Sequence, residues 1–223
     1  MDRFILGIKK GQSQRFDKNG SRLAVTIIET APNYLLDIKL AEKNGYNAVV
    51  VGFKEGKNIQ KPVQGLLKKA KVEKQLKHIS EFRFDPTVLT VSEVEGKKAI
   101  SFGDVVVTVG QELKPSQLFK LDDMVSVTGT GKGKGFQGVV RRHHFKGGSK
   151  THGQSDRLRA PGSIGMSTTP GRVFKGKRMA GRMGNETVTV KNLAVVEAND
   201  TSLVVGGLVP GAIGGLIRIK RNS

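Results

Sequence analysis

A glycine-rich stretch at 129–148, GTGKGKGFQGVVRRHHFKGG, contains the pattern most suggestive of chemistry. Within it, Gly133–Gly138 fits the GxGxxG fingerprint of loops that hold the phosphates of a dinucleotide. Such a site also needs a preceding strand, a following helix and an acid about 20 residues further on. Asp156 has a tolerable spacing, but Val139–Lys146 leaves room for about two helical turns, too few for a crossover helix. We therefore expect no dinucleotide cofactor, and a nucleotide-dependent enzyme is the rival hypothesis.

Other candidate chemistry in this region is weaker. Residues 141–152 contain three histidines, but also four Lys and Arg whose positive field repels a metal ion, and the chain has no cysteine. His152 and Ser155-Asp156 provide the residue types of a hydrolytic triad, although short spacing along the chain does not create triad geometry. The GxSxG pattern of a nucleophile elbow is absent from the sequence. We expect neither a metal site nor catalysis.

Positive charge is concentrated in residues 129–184. The whole chain has 38 Lys and Arg against 19 Asp and Glu, a formal net charge of +19. Residues 129–184 hold 13 of these cations, one acid and 14 glycines, a net charge of +12 that leaves +7 elsewhere. Glycine lets a backbone approach phosphates closely, and arginine donates to phosphate in a bidentate manner. The composition indicates a polyanionic partner, RNA before an anionic membrane, and the near absence of acids disfavours a merely solvated surface.

The same segment is poorly equipped to fold by itself. It contains eleven larger apolar residues among 56, too few to offset the conformational entropy lost on ordering so glycine-rich a chain. We therefore predict a cationic segment that is ordered by RNA.

The rest of the sequence predicts short strands separated by turns. Asn44-Gly45 suits a type I′ hairpin turn between two of them. Residues 57–96 differ, with a basic helix from Pro62 to Gln75 and a strand at 81–84, and we interpret them as a small α+β insertion. The absence of long alternating helices argues against a parallel βαβ sheet and favours a closed barrel or a sandwich. The other predicted strands are 23–28, 34–40, 46–53, 98–101, 104–109, 124–128, 186–191, 193–197, 202–205 and 216–220.

The sequence also bears on location. No apolar run approaches the roughly 18–20 residues needed to span a bilayer, and the N-terminal residues 1–16 resemble neither a secretory signal nor a transit peptide. We expect a soluble, cytoplasmic protein without a targeting segment.

The glycine-rich run and its continuation resemble a known family. Val127–Gly138 is similar to the start of the long extension in the bacterial-type ribosomal protein L3 family, and weaker similarity covers nearly the whole chain. These matches are long, ordered and colinear, and they are therefore more specific than any single motif. The similarity continues through Thr151–Gly153, Pro161–Gly165, Thr169–Gly176 and Met179–Gly184.

This resemblance implies a mainly β fold: a six-stranded translation-protein-like β-barrel at 1–128 and 185–223, with the α+β insertion and a long irregular extension at 129–184. It implies a structural constituent of the large ribosomal subunit that binds 23S rRNA near its 3′ end and acts early in assembly. The extension would approach the peptidyl transferase centre, and the barrel would meet neighbouring ribosomal proteins. No cofactor, membrane or small-molecule substrate is implied. A nucleic-acid-binding module outside the ribosome remains the third hypothesis.

Charge and resemblance together predict the RNA contacts. The charge concentration assigns basic and aromatic side chains, and the resemblance adds a loop near the catalytic RNA. Phe136, Phe145 and Phe174 either stack on bases or anchor the segment to the β domain, and the sequence leaves both open. The predicted contacts are Lys132, Lys134, Phe136, Arg141, Arg142, His143, His144, Lys146, Lys150, His152, Arg157, Arg159, Ser163, Met166, Ser167, Thr168, Arg172, Lys175, Lys177, Arg178 and Arg182.

Two positions depart from the family pattern. The loop after Gly165 usually carries Gln and Asn, and one Gln there is methylated in some members, whereas this chain has Met166–Thr169. We expect that modification to be absent. Leu66 stands where a His is common in the insertion, and the sequence assigns it no consequence.

Overall fold

A computed structural model describes residues 3–17, 19–86, 89–94, 97–102 and 105–222. The strands are β1 Phe4–Phe16, β2 Arg22–Glu29, β3 Asn33–Lys39, β4 Ala48–Glu55, β5 Leu76–Arg83, β6 Val91–Val94, β7 Lys97–Phe102, β8 Val105–Thr108, β9 Met124–Thr130, β10 Phe136–Gln137, β11 Gly181–Arg182, β12 Thr187–Ala198, β13 Ser202–Gly206 and β14 Leu216–Arg221. The helices are short: α1 Ala41–Asn44, α2 Lys61–Lys69, α3 Pro115–Leu118 and α4 Val139–His143. The protein is therefore mainly β, as predicted.

Six strands pair in a closed antiparallel ring, in the order β1, β14, β9, β12, β13, β2 and back to β1. Burial alternates along β9 and β14, because successive side chains of a strand point to opposite faces. The buried members include Val125, Val127, Ile217 and Ile219, which belong to the main hydrophobic core. This alternation is what made both strands predictable.

Two further three-stranded sheets lie between β2 and β9 in the sequence, with the orders β3-β4-β5 and β6-β7-β8. The segment outside the ring therefore includes everything from β3 to β8 and is wider than the predicted insertion at 57–96. The predicted strands at 34–40, 46–53, 98–101 and 104–109 fall within it, and residue 104 lies outside the described residues. A short strand has the same sequence pattern in either sheet, because tertiary contacts determine which strand it pairs with.

β4 is buried without alternation from Ala48 to Phe53. Val49 and Val51 belong to the main core, whereas Val50 joins a second cluster with Leu36 and Leu67. A strand buried on both faces is expected to be a continuous apolar run. β4 therefore joins the main core to helix α2.

The hairpin predicted across Asn44-Gly45 is confirmed, because β3 pairs antiparallel with β4, but the predicted type I′ turn is wrong. Asn44 ends the one-turn helix α1, and Gly45 caps it at φ +76° with its N–H bonded to the carbonyl of Ala41 at 2.8 Å. Positive φ was predicted at Gly45, but the turn geometry was not. Glycine is favoured both after the end of a helix and in a hairpin turn, so the sequence does not distinguish the two. The predicted basic helix is confirmed near Pro62 and ends at Lys69, before Gln75.

Two ring strands differ from the sequence prediction. The predicted strands at 186–191 and 193–197 form one strand, β12, with an irregularity between Val190 and Leu193, where Asn192 has φ +59°. β1 was not predicted as an element. The second half of β1, from Lys10 onward, is largely polar. Lys9 ends the apolar run of the first half, although its side chain is buried.

The chain divides into two compact units. Unit 1 comprises the described residues up to Thr130 and from Thr187 onward, and unit 2 is Gly131–Glu186. In the described ranges, no helix has the length and apolar character required to cross a bilayer.

Candidate nucleic-acid interface

The two ends of unit 2 are joined by an irregular antiparallel ladder. The N–H of Gly131 bonds to the carbonyl of Glu186 at 2.8 Å, and that of Lys134 to the carbonyl of Met183 at 2.9 Å. β10 and β11 then continue the ladder. Gly184 has φ +72°, and a Cβ there would lie 2.2 Å from the carbonyl oxygen of Lys132. The glycines of this stretch thus permit close backbone approach within the protein itself.

Helix α4 follows the ladder and has only five residues. His144 follows the helix as its C-terminal cap and has φ +59°. Nη1 of Arg142 donates to the carbonyl of Met179 at 2.8 Å, and Nε2 of His143 lies 3.0 Å from the same oxygen. The glycine fingerprint at Gly133–Gly138 therefore precedes a helix shorter than a crossover helix and lies in an antiparallel ladder, not a βαβ unit.

A closed loop comes next, from Gly147 to Ala160. The N–H of Gly148 bonds to the carbonyl of Leu158 at 2.9 Å, and a Cβ on Gly147 would lie 2.4 Å from that oxygen. The side-chain amide of Gln154 satisfies two backbone donors when its oxygen faces them. In that orientation Oε1 accepts from the N–H groups of Arg157 and Leu158 at 2.8 and 3.1 Å. His152 lies at the exposed end of this loop, and no hydrogen bond joins it to Ser155 or Asp156, all within the described range.

The loop from Pro161 to Val173 presents the residues that the family resemblance assigned to RNA. Oγ of Ser163 donates to the carbonyl of Gly165 at 3.1 Å, and the N–H of Gly171 bonds to the carbonyl of Ser167 at 3.2 Å. Met166 is 66% exposed. The loop is thus held by its own backbone while its side chains point into solvent.

Nearly all the cations of unit 2 are exposed to solvent. Twelve of the 13 Lys and Arg side chains belong to exposed residues, and Arg142 is half-buried. None of the 13 forms an ion pair with a carboxylate of the described chain. Unit 2 itself supplies two acids, Asp156 and Glu186. Mutual repulsion of these charges favours an anionic partner that follows the segment along its length.

Unit 2 has almost no interior. Of residues 131–186, all of them described, Val139 alone is buried. Phe136 is 77% exposed and Phe174 is 50% exposed, while Phe145 is half-buried with its ring 6.0 Å from that of His143. Exposed aromatic rings between cations are suited to stacking on bases.

The 21 predicted contact residues lie in unit 2, but the structure brings few of them together. Arg142 and His143 meet at the carbonyl of Met179, and Arg141 donates to Oε1 of Gln137 at 3.3 Å. Ser163, Met166, Ser167 and Arg172 line one shallow pocket, and Lys146 and Arg157 line another. The remainder are distributed along the segment. Sequence reasoning missed the internal roles of Gln137 and Gln154, because a lone amide carries no pattern. Among the described residues there is no group of three or more His, Asp or Glu placed to hold a metal ion.

Comparisons with known proteins show which family the chain resembles. The family described as "Ribosomal protein L3" matches residues 67–206. A large ribosomal subunit protein uL3 from Dehalococcoides mccartyi is 42% identical over 221 residues, covering 98% of both chains. Proteins of the same name from Herpetosiphon aurantiacus and Chloroherpeton thalassium are 45% and 46% identical. These cover 97% and 93% of this chain and 95% and 93% of the relatives.

Proposed function

The chain belongs to the ribosomal protein L3 family, and on that premise we propose that it is a structural constituent of the large subunit of cytoplasmic ribosomes. Within the subunit, unit 2 binds 23S rRNA near its 3′ end, and the loop at 161–173 approaches the peptidyl transferase centre. The protein joins early in assembly and performs no chemistry itself. Its six-stranded ring is a barrel of the translation-protein type that meets neighbouring ribosomal proteins.

One observation carries this proposal: 13 cations that form no ion pair with the described carboxylates lie on a segment with a single buried side chain. A segment without an interior gains little free energy from its own packing. RNA supplies what it lacks, because phosphates neutralise the cations and the RNA surface covers the exposed aromatic rings. The distribution of cations along the segment fits an extended polyanion better than a compact ligand.

Salt dependence tests the RNA contact. The full chain is titrated with in vitro transcribed 23S rRNA at several salt concentrations. With about 6–10 phosphate contacts, affinity should fall by roughly 10³–10⁵ between 50 and 200 mM salt. Replacing Arg141, Arg172 and Arg178 with Gln should reduce the slope of log K against log salt by roughly 3. Arg142 is left intact because it holds the carbonyl of Met179.

The matched control removes three exposed lysines of unit 1, Lys10, Lys43 and Lys120, so that the net charge changes equally. An equal loss of slope in both variants would contradict an interface in unit 2. Co-sedimentation then separates a ribosomal constituent from a loose nucleic-acid binder. The constituent stays with the large subunit through a high-salt wash, and a loose binder leaves.

A further inference from the structure

Helix α2 ends in an unusual way. The N–H of Lys71 bonds to the carbonyl of Lys68 at 3.0 Å, and the N–H of Val72 to that of Leu67 at 3.0 Å. Leu67 and Val72 also belong to one apolar cluster, so the helix ends in a Schellman motif. The left-handed position of that motif usually holds glycine, but here it holds Lys71 at φ +57°. A residue with a side chain is strained at this position.

Lys71 lines a cavity of about 310 Å³ in unit 1. Its floor is apolar, formed by Leu36, Ala70 and Val109, and Lys69 and Lys98 line it together with Lys71. Gly110 has φ +94°, and a Cβ there would lie 2.5 Å from the carbonyl oxygen of Ala70. Residue 110 can therefore approach the end of α2 this closely only as glycine.

The charges around the cavity do not cancel. Asp37 is the acid that lines it, and its carboxylate is already engaged, by Nζ of Lys69 at 3.3 Å and by the N–H of Ile38 at 2.9 Å. Nζ of Lys98 donates to the carbonyl of Ile38 at 3.1 Å and retains further donors. Lys71 forms no ion pair with a carboxylate of the described residues. Lys69 and Asp37 offset each other, so Lys71 and Lys98 leave the cavity positive.

We infer that this cavity is a second phosphate-binding site, in which Lys71 and Lys98 bind a phosphate of one RNA nucleotide whose sugar lies on the apolar floor. The inference rests on the proposed function, since it requires RNA next to unit 1, but it uses none of the residues of unit 2. Lysine, a compact charge with rotatable donors, suits a single phosphate. The alternative, that Lys71 merely neutralises the helix end, is weakened because the Schellman N–H groups already bond to the terminal carbonyls.

The test uses the strain itself. In the full chain, Lys71→Gly should raise the urea midpoint of unfolding, because glycine adopts positive φ freely. The same change should reduce the salt slope of 23S rRNA binding by about 1, as expected for one lost phosphate contact. Lys71→Arg retains charge and strain and should change neither quantity. Lys54→Gly is the matched control: Lys54 is exposed, has φ +60° and lies outside the cavity, so the midpoint should rise while the slope stays unchanged.

Three results would overturn the inference. A lower urea midpoint for Lys71→Gly would assign the lysine to the helix end. An unchanged slope, or an equal loss of slope for Lys54→Gly, would exclude a specific site. Saturable sub-millimolar binding of adenosine 5′-monophosphate, followed through the amide signals of Ala70 and Gly110, would make a free nucleotide the ligand in place of RNA. If Lys71 binds no phosphate, the arginine variants of unit 2 should still reduce the salt slope of 23S rRNA binding. This outcome is therefore distinguishable from failure of the proposed function.

Discussion

Glu81 receives two hydrogen bonds on the exposed side of β5. Nζ of Lys39 donates to Oε1 at 2.5 Å, and the hydroxyl of Tyr46 donates to Oε2 at 2.9 Å. These hydrogen bonds hold the pKa of Glu81 below its ordinary value of 4.5, and the bond from Lys39 has the larger effect. The hydrogen bond to Glu81 likewise raises the pKa of Lys39. The ionised forms of both residues are thus favoured in the folded state.

The pH dependence follows from these directions. Since the pKa of Glu81 is lower in the folded protein, its contribution to stability is complete well above pH 4.5 and is lost as the pH falls through the folded-state pKa. We predict that Glu81→Gln lowers the urea midpoint near neutral pH, and that the difference from the unmodified chain shrinks between about pH 5 and pH 3. Glu42→Gln, on exposed α1, is the control and should give a smaller difference at neutral pH. A Glu81 difference independent of pH would contradict the prediction.

Single residues differ in how far the sequence reveals them. The cations of unit 2 were predictable, because charge density depends only on local composition. The bond from Arg142 to the carbonyl of Met179 was not, since it joins positions 37 residues apart in a segment without repeated pattern. The strained conformation of Lys71 was equally hidden, because no sequence signal places a lysine where glycine is usual.

At the level of elements, β1 depends on a buried charge. Lys9 is 6% exposed, and its Nζ donates to the carbonyls of Val209 and Gly211 at 2.9 and 3.1 Å. Its backbone also bonds to Gly214 and Gly215 at 2.8 and 3.1 Å. Lys9 thereby attaches the loop before β14 to β1 by both main chain and side chain.

Removal of this side chain should destabilise the ring. Lys9→Ala leaves two carbonyls without their charged donor, and we expect the free energy of unfolding to fall by about 1–3 kcal/mol. Lys10→Ala, at the neighbouring exposed position, should change it by less than about 0.5 kcal/mol. Urea denaturation of both variants measures the difference. Equal effects would mean that the loop is held by its backbone bonds alone.

The elements themselves were predictable where one face is buried and the other exposed, as in β9 and β14. β1 escaped prediction because its apolar run ends after five residues at Lys9 and Lys10, and the remainder of the strand is largely polar. The pairing of β3 with β4 was predicted, but the placement of β3, β4, β7 and β8 outside the ring was not, because nothing local distinguishes a ring strand from a strand of an adjacent sheet. Gly45 was assigned to the correct connection, between β3 and β4, but to a type I′ turn and not to the end of a one-turn helix.

At the scale of the whole molecule, the two units have opposite physical characters. Unit 1 contains the described hydrophobic core, with 27 buried residues in its larger cluster. Unit 2 has 13 glycines, 13 cations and one buried side chain in 56 residues. One unit can therefore be stable by its own packing, and we expect the other to depend on its proposed RNA partner.

Limited proteolysis of the free protein tests this division. Trypsin should cut first within 131–186, because local opening is cheapest where few side chains are buried. Availability of cleavage sites does not decide the result, since the rest of the chain holds 25 of the 38 Lys and Arg. Adding 23S rRNA should protect unit 2 at low salt, and raising the salt should remove that protection, because phosphate contacts weaken as counterions compete. Uniform resistance of the free protein across 131–186 would show that unit 2 is ordered without RNA, and the proposed role of the partner would then fail.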